Sequence, residues 1–153
     1  MELILWRHAE AEDEAPSDLL RPLSAKGRKQ AARMAAWIHQ RLGEGIGDWR
    51  VLVSPALRTE QTAAALKLPV ETRPALAPGA QAQDVLREAG WPRGRRNAIV
   101  VGHQPTLGMA AAELLNGVPG HLSVKKGALW WFEMRGEDGE VRLKAVAAPD
   151  TVS

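Results

Sequence analysis

Four apolar residues in a row, Leu3-Ile4-Leu5-Trp6, end abruptly in Arg7-His8. An uninterrupted apolar run of this length reads as a strand buried on both faces, as in a parallel sheet covered by helices. The figure recurs twice. Trp49-Arg50-Val51-Leu52-Val53 runs into Ser54-Pro55, and Ala98-Ile99-Val100-Val101-Gly102 ends in His103-Gln104-Pro105-Thr106. Between these runs the apolar positions change to helical spacing. Ala31, Met34, Ala35, Ile38 and Leu42 form one face, with Ser24 as a plausible N-cap and Gly43, Gly45 and Gly47 closing the helix in a flexible connection. Ser54 as N-cap and Pro55 at the first helical position predict a helix reaching about Leu66. Ala82, Val85, Leu86 and Ala89 predict a short helix closed by Gly90. A last helix is expected from Pro105, with Leu107, Ala110, Ala111, Leu114 and Leu115 as its apolar set and Asn116-Gly117 as its stop.

The remaining segments fill in the sheet. The stretch from Ala11 to Asp18 is acidic, non-periodic and contains Pro16, so it reads as a loop. Leu68 to Thr72 is expected as a short edge strand, since Pro69 is incompatible with a central one. Pro78-Gly79 marks a turn, and Arg93 to Asn97 is a polar loop. Ala128 to Met134 and the alternating Val141 to Val146 predict a hairpin turned by Glu137-Asp138-Gly139-Glu140. The pair Trp130-Trp131 is read as sheet packing, because neighbours on a strand face opposite ways. Strands alternating with helices predict an α/β fold of three α/β/α layers, with a mostly parallel sheet and an antiparallel C-terminal edge hairpin. With neither repeat nor linker, residues 1–153 are expected to form a single domain.

Composition narrows the chemistry. The chain has no cysteine, which removes disulfides, thiol catalysis and cysteine-based zinc sites. Its four histidines form no close pair in sequence, so no metal site is expected. The formal net charge is only +2, and Arg93-Gly94-Arg95-Arg96 is too short for the basic stripe that nucleic acid requires. The first apolar run is strand-length and ends in charge, unlike a signal peptide or a membrane span, so a soluble cytoplasmic protein is expected.

In a parallel sheet the three strand ends lie on one edge, where ligands of open α/β sheets bind. Arg7, His8, Arg58 and His103 can then converge although they are about a hundred residues apart. Two guanidiniums suit bidentate recognition of phosphate oxygens, and a helix starting at Pro105 offers free N–H groups to an anion. A neutral histidine can attack phosphorus and carry the phosphoryl group, and a second can donate a hydrogen bond to it. Fixed positive donors then meet the charge on the equatorial oxygens without a metal or other cofactor.

These residues also carry a family resemblance. Arg7-His8-Ala9 resembles the Arg-His-Gly signature of the histidine phosphatase superfamily, the phosphoglycerate-mutase-like group. Ser54-Pro55-Ala56-Leu57-Arg58-Thr59-Glu60-Gln61-Thr62 is similar to its second block, and Gly102-His103 to its late Gly-His block. The small size, Arg21-Pro22-Leu23 followed by Ser24 and Gly27, and Gly102-His103-Gln104-Pro105 look most like the compact SixA-type phosphohistidine phosphatases. The resemblance covers nearly the whole chain. It implies that His8 is the phosphorylated nucleophile and that Arg7, Arg58 and His103 complete the phosphate pocket. Arg21 is placed at the rim and Gln104 among the substrate-binding residues. Ala9 departs from the usual Gly and is tolerated if its φ is negative. Larger family members insert a covering segment that supplies an acidic proton donor; here only Ala63 to Asn97 fills that interval. An open site suits a phosphorylated protein side chain, and an imidazole leaving group needs less acid than an alkoxide. Glu10 and Glu60 are the candidate acids.

Other readings of the same residues are blander. Ser54 lacks the Gly-x-Ser-x-Gly setting of a serine nucleophile and is explained as a cap. His39, on a polar helix side, and His121, in a loop, read as structural. The acidic run from Glu10 to Glu14 reads as solvated, or as a feature that disfavours highly anionic small substrates or orients a basic partner. The expected function is a phosphatase with a phosphohistidine intermediate acting on protein phosphohistidine. The alternatives are a phosphatase of small phosphate esters, a non-catalytic phospho-ligand module and a mutase.

Overall fold

The computed structural model describes residues 1–136 and 139–152. Six strands form one sheet: β1 (Glu2–Arg7), β2 (Arg50–Val53), β3 (Glu71–Thr72), β4 (Ala98–Gly102), β5 (Leu129–Met134) and β6 (Val141–Ala147). Their order is β3-β2-β4-β1-β5-β6. The β3–β2, β2–β4 and β4–β1 pairs are parallel, whereas β1–β5 and β5–β6 are antiparallel. The mostly parallel sheet with its C-terminal hairpin therefore stands as expected, with β6 as the outer strand. The hairpin's expected turn includes Glu137 and Asp138, which lie outside the described residues.

Side-chain alternation splits the core between the two sheet faces. Ile4, Trp6, Val51, Val53, Ile99 and Val101 pack under α1 (Ala25–Leu42) and α2 (Leu57–Ala64). Leu3, Leu5, Leu52 and Val100 pack under α3 (Ala82–Ala89) and α4 (Thr106–Asn116). Trp131 joins the first cluster and Trp130 borders the second, as neighbours on a strand must. No described helix is long and apolar enough to cross a membrane.

Local rules explain most helix boundaries. Ser24 accepts a hydrogen bond from the Gly27 amide at 3.0 Å and caps α1, a contact worth about 1 kcal/mol. Gly43, Gly90 and Gly117 close α1, α3 and α4 with positive φ. The run Gly43–Asp48 forms a 3-10 turn in place of the expected flexible connection and buries Ile46. A second 3-10 turn, Asp18–Leu20, orders the acidic loop, which is closed by an Ala11–Leu23 bridge. The interval after α2 holds β3, a 3-10 turn at Pro74–Leu76 and α3. α3 buries Ala82, Val85 and Ala89 beneath the sheet layer rather than forming a separate cover.

The second helix starts later than the sequence predicts. Ser54 does not cap it: α2 begins at Leu57 with Ala56 at the N-cap position. The Ser54 hydroxyl instead lies 2.7 Å from His103 Nε2, and the Thr59 hydroxyl donates to the Ser54 and Ala56 carbonyls.

Candidate active site

Parallel register brings the three strand ends together. Arg7 lies beside Gly102, and Val53 beside Val101. One residue on, the His8 amide donates to the Gly102 carbonyl at 3.1 Å and the Ser54 amide to the Val101 carbonyl at 3.2 Å. His8 and His103 thus sit side by side at one sheet edge, with ring centroids 5.4 Å apart. Both are buried, as is Arg58, projected from the first turn of α2.

The turn after β1 is gripped from two sides. The Ala9 amide donates to Thr62 Oγ1 on α2, and the Glu10 amide to Gln30 Oε1 on α1. A Cβ at Gly27 would stand 1.9 Å from the Glu10 carbonyl oxygen, so only glycine lets α1 approach this turn. Ala9 is not among the positive-φ residues, which accommodates its methyl group.

The His8 ring has a defined tautomer. Its Nδ1 lies 2.7 Å from the Ala9 carbonyl, which can only accept. Nδ1 therefore carries the proton and Nε2 keeps its lone pair. Burial, reinforced by Arg58, Arg7 and Arg21, pushes the imidazole from 6.5 down to about 4, against an opposing pull from the bond to Ala9. Burial first, then His8 and Arg58, bring His103 down to about 3. Both rings are neutral at neutral pH.

The guanidiniums are held yet incompletely bonded. Arg7 Nη1 donates to the Val124 carbonyl at 2.8 Å. Arg58 Nη1 donates to the Asp18 carbonyl at 2.7 Å, and its Nη2 to the Asp18 carboxylate at 3.1 Å. The Nε–H groups of both arginines are buried without a hydrogen-bond partner among the described residues. Such donors are costly to leave unsatisfied. Two of them, on two cations beside two neutral histidines, fit an oxyanion. Among the described residues, no group of three or more His, Asp or Glu side chains converges as a metal site.

Other expected residues have different placements. Arg21 donates from Nε to the Glu12 carbonyl and from Nη1 to Asp18 Oδ1. Asp18 thereby joins Arg21 to Arg58, and its bonds to them hold the carboxyl below its ordinary range. The Gln104 amide is spent on the backbone at both ends, accepting from Gly108 N and donating to the Leu122 carbonyl. Through one of its two N–H donors and one acceptor lone pair it ties a loop to α4. The expected anion site at the start of α4 is reduced: the Leu107 amide bonds the His103 carbonyl and the Gly108 amide bonds Gln104, so two of the first-turn N–H groups are taken. Glu10 accepts from the Ser24 hydroxyl at 2.7 Å, and Glu60 is exposed on α2.

Sequence reading missed Asp18 and the Ser54–His103 contact. Asp18 was one acid in an acidic loop. Its pairing becomes visible only when the loop folds back over α2.

Comparison with known proteins points the same way. The profile described as histidine phosphatase superfamily (branch 1) matches residues 3–78. The phosphohistidine phosphatase SixA of Escherichia coli K12 is 35% identical over 125 residues, 76% of each chain. A SixA homolog of Haemophilus influenzae is 32% identical over 126 residues, 74% of this chain and 77% of that one. Among solved structures, the protein histidine phosphatase SixA complexed with tungstate superposes with a TM-score of 0.77 at 28% identity, covering 98% of both chains.

Proposed function

The chain belongs to the histidine phosphatase superfamily, and from that premise we propose that it hydrolyses protein phosphohistidine through a phosphoenzyme formed on His8. One observation carries the reading: a neutral His8 with its Nε2 lone pair available lies beside two arginines whose buried Nε–H groups lack partners. His8 Nε2 attacks phosphorus, forming a P–N bond as the bond to the leaving imidazole breaks. That imidazole leaves as a neutral ring because its other nitrogen has first taken a proton from solvent water, and the electron pair of the broken P–N bond stays on the departing nitrogen. Water then attacks the phosphoryl group, releases phosphate and returns the electron pair to Nε2.

The developing oxygen charge falls to Arg7 and Arg58, with His103 as a further donor. Ser54 and Asp18 are positioning residues: one orients the His103 ring and the other holds Arg58. Arg21 acts at the rim through Asp18. Glu10 is committed to Ser24, and an imidazole leaving group protonated from solvent needs no carboxylic acid in its place. A phosphoprotein substrate is supported by the short interval between α2 and β4, whose elements pack into the layers. It is also supported by the likeness to the E. coli phosphohistidine phosphatase.

The test is a substrate panel run with the wild type and His8→Ala side by side. The wild type should prefer a phosphohistidine protein over phosphate esters, and His8→Ala should turn over neither. A strong preference for one small ester would reject the proposed substrate. Full activity in His8→Ala would reject the mechanism.

A further inference from the structure

The outward face of α1 carries Lys26, Lys29, Gln30 and Arg33, spaced i, i+3, i+4 and i+7. It faces the loop around Ser123 to Lys126 and the segment Pro149-Asp150 across a groove of about 670 Å³. Arg7 lies in the wall of this groove, so the groove adjoins the phosphate site. Six cations line it (Arg7, Lys26, Lys29, Arg33, Lys125 and Lys126) against one carboxylate, Asp150. In a chain of net charge +2, this concentrates positive charge on one side of the site. The opposite rim is different: there Arg21 and Arg58 are paired by Asp18 and Asp13.

The groove's cations are also available. Lys125 lies 3.6 Å from Asp150 and Arg33 donates to the Pro149 carbonyl. Lys26, Lys29 and Lys126 are exposed and make no ion pair among the described residues. Apart from Arg7, these are exposed heads on flexible stems, three of them spread over about 10 Å of α1 and two in the facing loop. A small polyanion would call for convergent, preorganised donors. Dispersed exposed cations instead steer and orient a macromolecular partner.

We propose that this groove docks an acidic surface of the phosphoprotein substrate, one presenting Asp and Glu side chains beside the phosphorylated histidine. The proposal rests on the phosphohistidine-protein reading of the site. It assigns Lys26, Lys29 and Lys126 to partner choice rather than to chemistry.

Binding of a Glu-rich peptide with a central, unphosphorylated histidine, followed by fluorescence anisotropy, tests the groove independently of turnover. The full chain should bind it. Lys26→Glu/Lys29→Glu/Lys126→Glu should weaken binding at least tenfold, and the corresponding triple Gln variant should weaken it less. Thermal melting and hydrolysis of a small phosphate ester should match the wild type in both variants. Equal peptide binding by the wild type and the charge-reversed variant would overturn the proposal. So would failure of the wild type to bind the peptide, whether or not it binds a short oligonucleotide or tripolyphosphate. If the peptide binds as expected but no phosphohistidine protein is turned over, the functional reading fails and the acidic-docking surface stands.

Discussion

Kept neutral by burial and by neighbouring guanidiniums, the His8 imidazole retains its Nε2 lone pair well below neutral pH. A nucleophile that titrates near 4 in the free protein should leave kcat/KM without a histidine-like fall near pH 6.5. The enzyme-borne loss belongs near pH 4, when His8 gains its proton, and a profile from pH 3.5 to 8 reads it directly. Arg58→Lys preserves charge but removes the planar fork that bonds Asp18 and the orphaned Nε–H. It should lower kcat/KM by about 10²-fold. Ser54→Ala removes the contact at His103 Nε2 and should lower kcat roughly tenfold with little change in KM, as expected for a lost orientation. The two His and two Arg were legible in sequence because each follows a buried run or lies just beyond one. Ser54 was legible only as a cap. Its actual partner lies 49 residues away across the sheet, a distance over which local helix-start rules carry no information.

Gly27 illustrates how much of the site depends on the approach of whole elements. Its missing side chain lets the start of α1 touch the turn that carries His8, Ala9 and Glu10. Gly27→Ala should therefore cost about 1–3 kcal/mol by overpacking. The melting temperature should drop by several degrees, and activity should fall with it because the His8 turn moves. The elements themselves were readable from periodicity: α1, α3, α4 and β4 lie where apolar spacing and glycine stops place them. α2 starts two residues later than expected because Ser54 and Pro55 imitate a helix start while the Ser54 hydroxyl is claimed by His103, and it ends at Ala64 rather than near Leu66. The start of α4 imitates an anion site, yet Gln104 and the His103 carbonyl take two of its amides. In both cases side-chain chemistry specific to the site overrides a general helix rule.

Across the whole molecule, the buried histidines link the site to stability. Unfolded His8 binds a proton near 6.5, and the folded ring binds one only near 4. Between those values the unfolded state holds more protons, so stability falls as pH is lowered through this window. For His8 alone the cost at pH 4 is on the order of 2–3 kcal/mol. The His8→Asn variant, which cannot titrate, should lose less melting temperature than the wild type between pH 7 and pH 4. The topology that makes this burial possible was the most legible property of the chain, since three apolar runs alternating with helices leave few arrangements for a parallel sheet. The pairing of Asp18 with two arginines was not legible, because a loop's path over the surface is set by tertiary contacts rather than by periodicity. The mechanism stands on a phosphoryl group carried by His8. Rapid acid-free quenching of the enzyme with a ³²P-labelled phosphohistidine protein, followed by peptide mapping, reads that intermediate. An alkali-stable, acid-labile label should appear on the peptide containing His8 and be absent from His8→Ala; hydrolysis with no label on that peptide, or with equal label in His8→Ala, would rule out a His8 phosphoenzyme.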